Sequence, residues 1–210
     1  MMLRILLISA LATVGLAFSP HSSAAFHHRP STSLKMVAEV KEGDTLPSVV
    51  LKEGQADYAS PKDVNLGDLI KGKKVAIFAV PGAFTPGCSK SHLPSFITAQ
   101  DELKAKGVEL TICIATNDAY VMEHNDTCLS VDFYRLGAAQ VVEVTSDAGI
   151  KFLSDANAEL SRALGLPIEG DVMVRTKRFS LIADDGVVTH YFSSANESSY
   201  TWAPNVLAKL

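Results

Sequence analysis

The chain is poor in cysteine: its 210 residues carry three, Cys88, Cys113 and Cys128, with no C-x-x-C pair and no paired spacing that would hold zinc. So small and odd a set excludes a disulfide-stapled scaffold. Basic runs are missing as well. Nineteen Lys and Arg stand against 23 Asp and Glu, and no stripe of cations offers the electrostatic footprint of a nucleic-acid binder. A G-x-G-x-x-G after a strand, a P-loop and an H-E-x-x-H are all absent, so no motif asks for a nucleotide, flavin, haem or metal cofactor. What remains is a small-molecule or protein-thiol partner.

A local absence divides the chain. No Asp or Glu precedes Glu39, while Arg4, Arg29 and Lys35 are spread over the same stretch. Residues 1–38 are therefore read as a cleavable targeting presequence. Arg4 and the apolar run Ile5 to Phe18 make residues 1–17 signal-like, too short to span a bilayer. Residues 18–36, rich in Ser and His and free of acid, are transit-like. The two parts, joined at Ala17-Phe18-Ser19-Pro20, are similar to the bipartite presequences of algae with complex plastids, which predicts a chloroplast destination. A mitochondrial presequence or plain secretion stays open. The body, 39–210, is expected to be one domain with no membrane segment.

Within it, Lys74 to Val80 is a continuous apolar run bounded by Lys-Lys and Pro-Gly, the mark of a strand buried on both faces. Residues 88–106 carry Leu93, Phe96, Ile97 and Leu103 at near-helical spacing and close on Gly107, a C-cap. Val108 to Ala115 is a second buried strand, which completes a βαβ unit with parallel strands. A short strand at Val49 to Leu51, a helical turn at Leu66 to Ile70, a third core strand at Val141 to Val144 and a helix at Ala156 to Leu164 are predicted around it. A hairpin about Asp184-Asp185-Gly186 and a helix from Ala203 to Leu210 follow. This order predicts an α/β, thioredoxin-like fold with a central mixed sheet flanked by helices.

Between the first core strand and its helix lies Pro81-Gly82-Ala83-Phe84-Thr85-Pro86-Gly87-Cys88. Ligands of such sheets bind beyond the carboxyl ends of the parallel strands, where a helix start presents unpaired N–H groups and partial positive charge. A thiol there is favoured to ionise, and the thiolate is the nucleophile. Cys88 is thus a candidate reactive cysteine. His92, one turn later, is a candidate orienting group or an ordinary buried histidine.

Pro-x-x-x-Thr-x-x-Cys, continued as Cys88-Ser89-Lys90-Ser91-His92-Leu93-Pro94, resembles the active site of type II peroxiredoxins. Asn117-Asp118-Ala119-Tyr120-Val121-Met122, Lys177-Arg178-Phe179-Ser180 and Ala203-Pro204-Asn205 extend the resemblance over the body. It implies a thiol peroxidase acting on hydrogen peroxide and organic hydroperoxides. Cys88 would be peroxidatic, Thr85 and the Cys88 N–H would hold the peroxide, Arg178 would stabilise the thiolate and the developing charge, and Pro81 would shield the pocket. Thioredoxin, glutaredoxin or glutathione would recycle the enzyme. Fixed donors and a permanent cation are what attack on an O–O bond requires, because negative charge builds on the leaving oxygen.

The resulting sulfenic acid needs a second thiol. Cys113, at a position where plant-type members have a second cysteine, is the candidate resolving residue, although Ile112-Cys113-Ile114 reads as sheet core. Cys128 is a weaker candidate and a plausible surface thiol. It lies in a stretch where the family's usual Trp is missing, which leaves the packing of a homodimer open. Competing readings are a thioredoxin-like disulfide oxidoreductase, disfavoured by the missing C-x-x-C, and a redox-sensing interaction protein.

Overall fold

The computed structural model describes residues 37–56, 59–127, 149–195 and 197–210. Strands β1 (Val50–Glu53), β2 (Lys62–Asn65), β3 (Lys74–Ala79), β4 (Leu110–Ala115), β5 (Ile150–Ser154), β8 (Phe179–Asp184) and β9 (Val187–Ser193) form one mixed sheet in the order β2-β1-β5-β4-β3-β8-β9. The short strands β6 (Pro167–Ile168) and β7 (Arg175–Thr176) pair as a separate ribbon. The helices are α1 (Leu66–Ile70), α2 (Leu93–Thr98), α3 (Gln100–Ala105), α4 (Ala119–Thr127), α5 (Glu159–Ala163) and α6 (Ala203–Leu207).

β3, β4 and β5 run parallel, so their carboxyl ends share one edge of the sheet. Because strand side chains alternate between faces, β3 and β4 feed two cores. Val75, Ile77, Ala79, Ile112 and Ile114 pack with Leu66 and Ile70 of α1 and Leu160 of α5. Ala76, Phe78, Cys113 and Ala115 face the other way, with Cys88, Leu93, Phe96, Leu103, Met122 and Val206. Cys113 therefore lies on the face that carries Cys88.

The predicted helix over 88–106 is broken into segments. The chain turns helical at Pro86, a residue suited to a first helical position. It widens into a π-helical turn over Cys88–His92, continues as α2, and is interrupted at Ala99 before α3. Gly107 follows with φ of 85°, as a C-cap glycine should. The hairpin turn at Asp185 and Gly186 has both φ values positive, 44° and 79°, the two-residue turn that matches strand twist.

The expected strand Val141 to Val144 lies outside the described residues. β5, which sequence reasoning passed over, pairs in parallel with β4; its Lys151 is ion-paired with Glu53 of β1. The helix expected over 156–164 shrinks to α5, because Asp155 to Ala158 form its lead-in. Val37 and Ala38 lie against Gly165, where a Cβ would stand 2.5 Å from the Ala38 carbonyl oxygen. Among the described residues no helix is long and apolar enough to cross a membrane.

Candidate active site

The loop from Pro81 to Gly87 leaves the carboxyl end of β3, an interior strand of the sheet between β4 and β8. Val80 N–H still donates to the Ile114 carbonyl at 2.9 Å, and the chain departs at half-buried Pro81. Phe84 takes a left-handed conformation, φ 59°, which is strained for a bulky residue and is found preferentially at functional sites. Thr85 follows, its hydroxyl donating to the Gly82 carbonyl at 2.9 Å. With its proton so committed, Thr85 Oγ1 keeps lone pairs to accept a hydrogen bond from another group. The Cys88 N–H donates to the Thr85 carbonyl at 3.1 Å, so any peroxide oxygen would have to share it.

Cys88 is 3% exposed and is met by Arg178, whose Nη2 donates to Cys88 Sγ at 3.1 Å. Register explains how a residue 90 positions away arrives there. β3 pairs antiparallel with β8 so that Ala79 opposes Phe179, which brings the residue before Phe179 to the point where β3 ends. Ser194 Oγ donates to the Arg178 carbonyl at 3.0 Å and fixes its backbone.

The other arm of the guanidinium decides the state of His92. Arg178 Nη1 donates to His92 Nδ1 at 2.9 Å, and a guanidinium can only donate, so Nδ1 is unprotonated. The proton sits on Nε2, which faces the Thr201 carbonyl at 3.0 Å and Ser180 Oγ at 3.2 Å. Ser180 in turn donates to the same carbonyl at 2.5 Å. Burial first, and the Arg178 charge second, lower the His92 pKa to about 3, the Thr201 carbonyl opposing them. A neutral ring thus orients Arg178 without repelling it. Sequence reasoning left His92 undecided because Ser180 and Thr201, its partners, are 88 and 109 positions away.

Cys113 is fully buried beside Phe78, which stacks on Phe96 with ring centroids 4.1 Å apart and meets His92 edge-on. Burial, and secondarily the electrostatic influence of nearby Cys88, raise the Cys113 thiol well above its ordinary pKa. Cys128 lies outside the described residues. No group of metal-ligating side chains is assembled among those described.

The arrangement is a buried thiol at a helix start, a cation on its sulfur and a hydroxyl acceptor alongside. The family model described as Redoxin matches residues 41–208. The chloroplastic peroxiredoxin-2E-2 of Oryza sativa subsp. japonica is 40% identical over 158 residues, covering 73% of this chain and 64% of its own length. The match thus spans less than two thirds of that relative. Peroxiredoxin-2B of Arabidopsis thaliana is 32% identical over 182 residues, 83% of this chain and 100% of its own. The solved structure of reduced Prx3 in complex with H2O2 from Vibrio vulnificus superposes with a TM-score of 0.67 at 33% identity, covering 81% of this chain and 95% of that one. The chain belongs to the redoxin family and, within it, to the peroxiredoxins.

Proposed function

We propose that this chain is a thiol peroxidase in which Cys88 reduces hydrogen peroxide and organic hydroperoxides. The observation that carries the reading is the Arg178 Nη2 donor 3.1 Å from the buried Cys88 Sγ. Sulfur attacks one peroxide oxygen, an S–O bond forms as the O–O bond breaks, and the departing oxygen takes up a proton to leave as water or an alcohol. Sulfur is oxidised by two electrons to a sulfenic acid and the peroxide is reduced by two. Thr85 Oγ1, whose proton is committed to the Gly82 carbonyl, accepts from the hydroperoxide O–H. Arg178, a planar fork with a permanent charge, spans the sulfur and the oxygen on which charge develops. Pro81 closes the pocket toward solvent.

Thiols complete the cycle. In the two-cysteine route, Cys113 Sγ attacks the Cys88 sulfenic acid, releasing water and forming a disulfide that thioredoxin reduces. Sharing one face of the sheet with Cys88 supports that route. The complete burial and raised pKa of Cys113 support the alternative, in which glutathione or glutaredoxin attacks Cys88 directly. Intact mass after one equivalent of peroxide separates them. Loss of two mass units that disappears in Cys113→Ser establishes the internal disulfide; a glutathione adduct formed on adding glutathione establishes the external route. Unchanged peroxide consumption by Cys88→Ser would overturn the peroxidase reading.

The presequence, residues 1–38, is taken to direct the chain to a plastid, a reading supported by its composition and by the chloroplastic rice relative. Fusion of residues 1–38 to a fluorescent protein tests this, and retention in the secretory pathway or import into mitochondria would refute it.

A further inference from the structure

Arg175, Lys177 and Arg178 fall within four positions, and their surroundings set them apart. Lys177 Nζ is ion-paired with Glu39 at 2.9 Å. Tyr191 donates to the same carboxylate at 2.8 Å. Burial pushes the Glu39 pKa up, but hydrogen bonds from Lys177 and Tyr191 outweigh it and leave the pKa lowered, so Lys177 faces a charged partner at neutral pH. Arg178 is engaged by Cys88 and His92. Arg175 is exposed, and among the described residues no carboxylate pairs with it.

Its position is nonetheless specific. Arg175 Nη1 lies 3.5 Å from the point where a Cβ on Gly82 would stand, and Arg178 Nη2 lies 3.4 Å from the same point on Gly87. Two glycines thus seat two guanidinium groups against the one loop that carries Thr85 and Cys88. Gly82 is also the residue whose carbonyl accepts the Thr85 hydroxyl, which sets Arg175 beside the turn that anchors Thr85.

The same rim is apolar. Ile168 is the cross-strand partner of Arg175 and is 43% exposed; directly opposed residues of a ribbon project from one face. Phe84, within the loop itself, is 45% exposed. An exposed cation bordered by exposed apolar side chains is complementary to an amphiphile with one anionic end.

Building on the peroxidase reading above, we propose that Arg175 is a specificity-determining residue that favours organic hydroperoxides carrying a carboxylate, such as fatty-acid hydroperoxides. The carboxylate is held at the Arg175 guanidinium and the hydrocarbon lies against Ile168 and Phe84, while the peroxide group reaches Cys88. The step at sulfur is unchanged: the S–O bond forms, the O–O bond breaks and the hydroxy acid leaves.

The test measures the second-order rate constant for single-turnover oxidation of the reduced full chain, with no reductant present. Hydrogen peroxide, a fatty-acid hydroperoxide below its micellar concentration and the methyl ester of that hydroperoxide are compared at low ionic strength. An exposed ion pair of this kind is worth about a two- to five-fold preference for acid over ester, screened as salt is raised. In Arg175→Gln the ratio is expected to fall to about one, with the hydrogen peroxide rate constant unchanged, and Arg175→Lys should keep part of the preference. A ratio near one in the wild type, or one that survives Arg175→Gln, overturns the proposal while leaving the peroxidase reading intact. Failure of the wild type to consume hydrogen peroxide at all overturns both.

Discussion

Two parallel strands hand over to helices at the same edge of the sheet, and the junctions after β3 and β5 are built to opposite ends. Each contains a non-glycine residue in left-handed backbone, Phe84 at φ 59° and Ala158 at φ 55°. After β5, the buried Asp155 carboxylate accepts the N–H of Leu160 at 3.1 Å, the N–H of Ser161 at 2.9 Å and the Ser161 hydroxyl at 2.6 Å. Both carboxylate oxygens are used to tie down the start of α5. After β3, Thr85 turns its hydroxyl back to Gly82, no side chain caps the turn that follows, and a thiol with a guanidinium beside it stands there instead. Saturating a helix start produces an inert joint; withholding the cap leaves the position open to a reactive group.

Breaking each junction should produce opposite phenotypes. The largest effect is expected from Cys88→Ser, which should reduce peroxide consumption to background while the urea midpoint stays near that of the wild type. Arg178→Gln should lower kcat/KM for hydrogen peroxide by about 10²- to 10³-fold, the usual cost of losing a donor aimed at developing charge. Arg178→Lys should not restore it, since a single ammonium cannot serve Cys88 and His92 at once.

At the other junction, Asp155→Ala should cost about 2–3 kcal/mol of stability, because buried donors lose their acceptor. Urea unfolding measures this, and kcat/KM of the fraction that remains folded should be unchanged. A loss of activity without a loss of stability would erase the contrast between the two junctions.

A subtler probe uses pH. His92 has a folded pKa near 3, below its unfolded value of about 6.5, so the unfolded state binds the extra proton over that window. Its contribution to stability is complete above about pH 6.5 and declines as pH falls toward 3, by about 1.4 kcal/mol per unit. His92→Asn, which retains an acceptor for Arg178, should flatten this part of the pH dependence of the urea midpoint relative to wild type.

Much of this was legible in the amino-acid order. The apolar run ending at Pro81 announced a strand buried on both faces, and the loop after it singled out Cys88, which the structure sets against the Arg178 guanidinium. Strand alternation around Cys113 told that it was core, and the structure adds that it faces the Cys88 side. β5 was missed because Lys151 interrupts its pattern, and the Glu53 carboxylate that neutralises it belongs to another strand. The division of the helix over 88–106 was hidden too, since Leu93, Phe96, Ile97 and Leu103 keep near-helical spacing across the interruption at Ala99. The double role of Arg178 depends on the Ala79 to Phe179 register, and His92 acquires its state only from partners that register delivers.

The π-helical turn over Cys88–His92 also sets the candidate thiol apart from α2. A wide turn carries one more residue per hydrogen-bonded ring than an α-helix, and such turns occur mostly as single insertions. Leu93 and Phe96 anchor α2 in the core directly after it, so the extra residue is confined to the segment that carries Cys88. On the proposed peroxidase reading, exposing an oxidised Cys88 requires opening these five residues rather than the whole domain. On that same reading, the ease of opening sets how long a Cys88 sulfenic acid waits for a thiol.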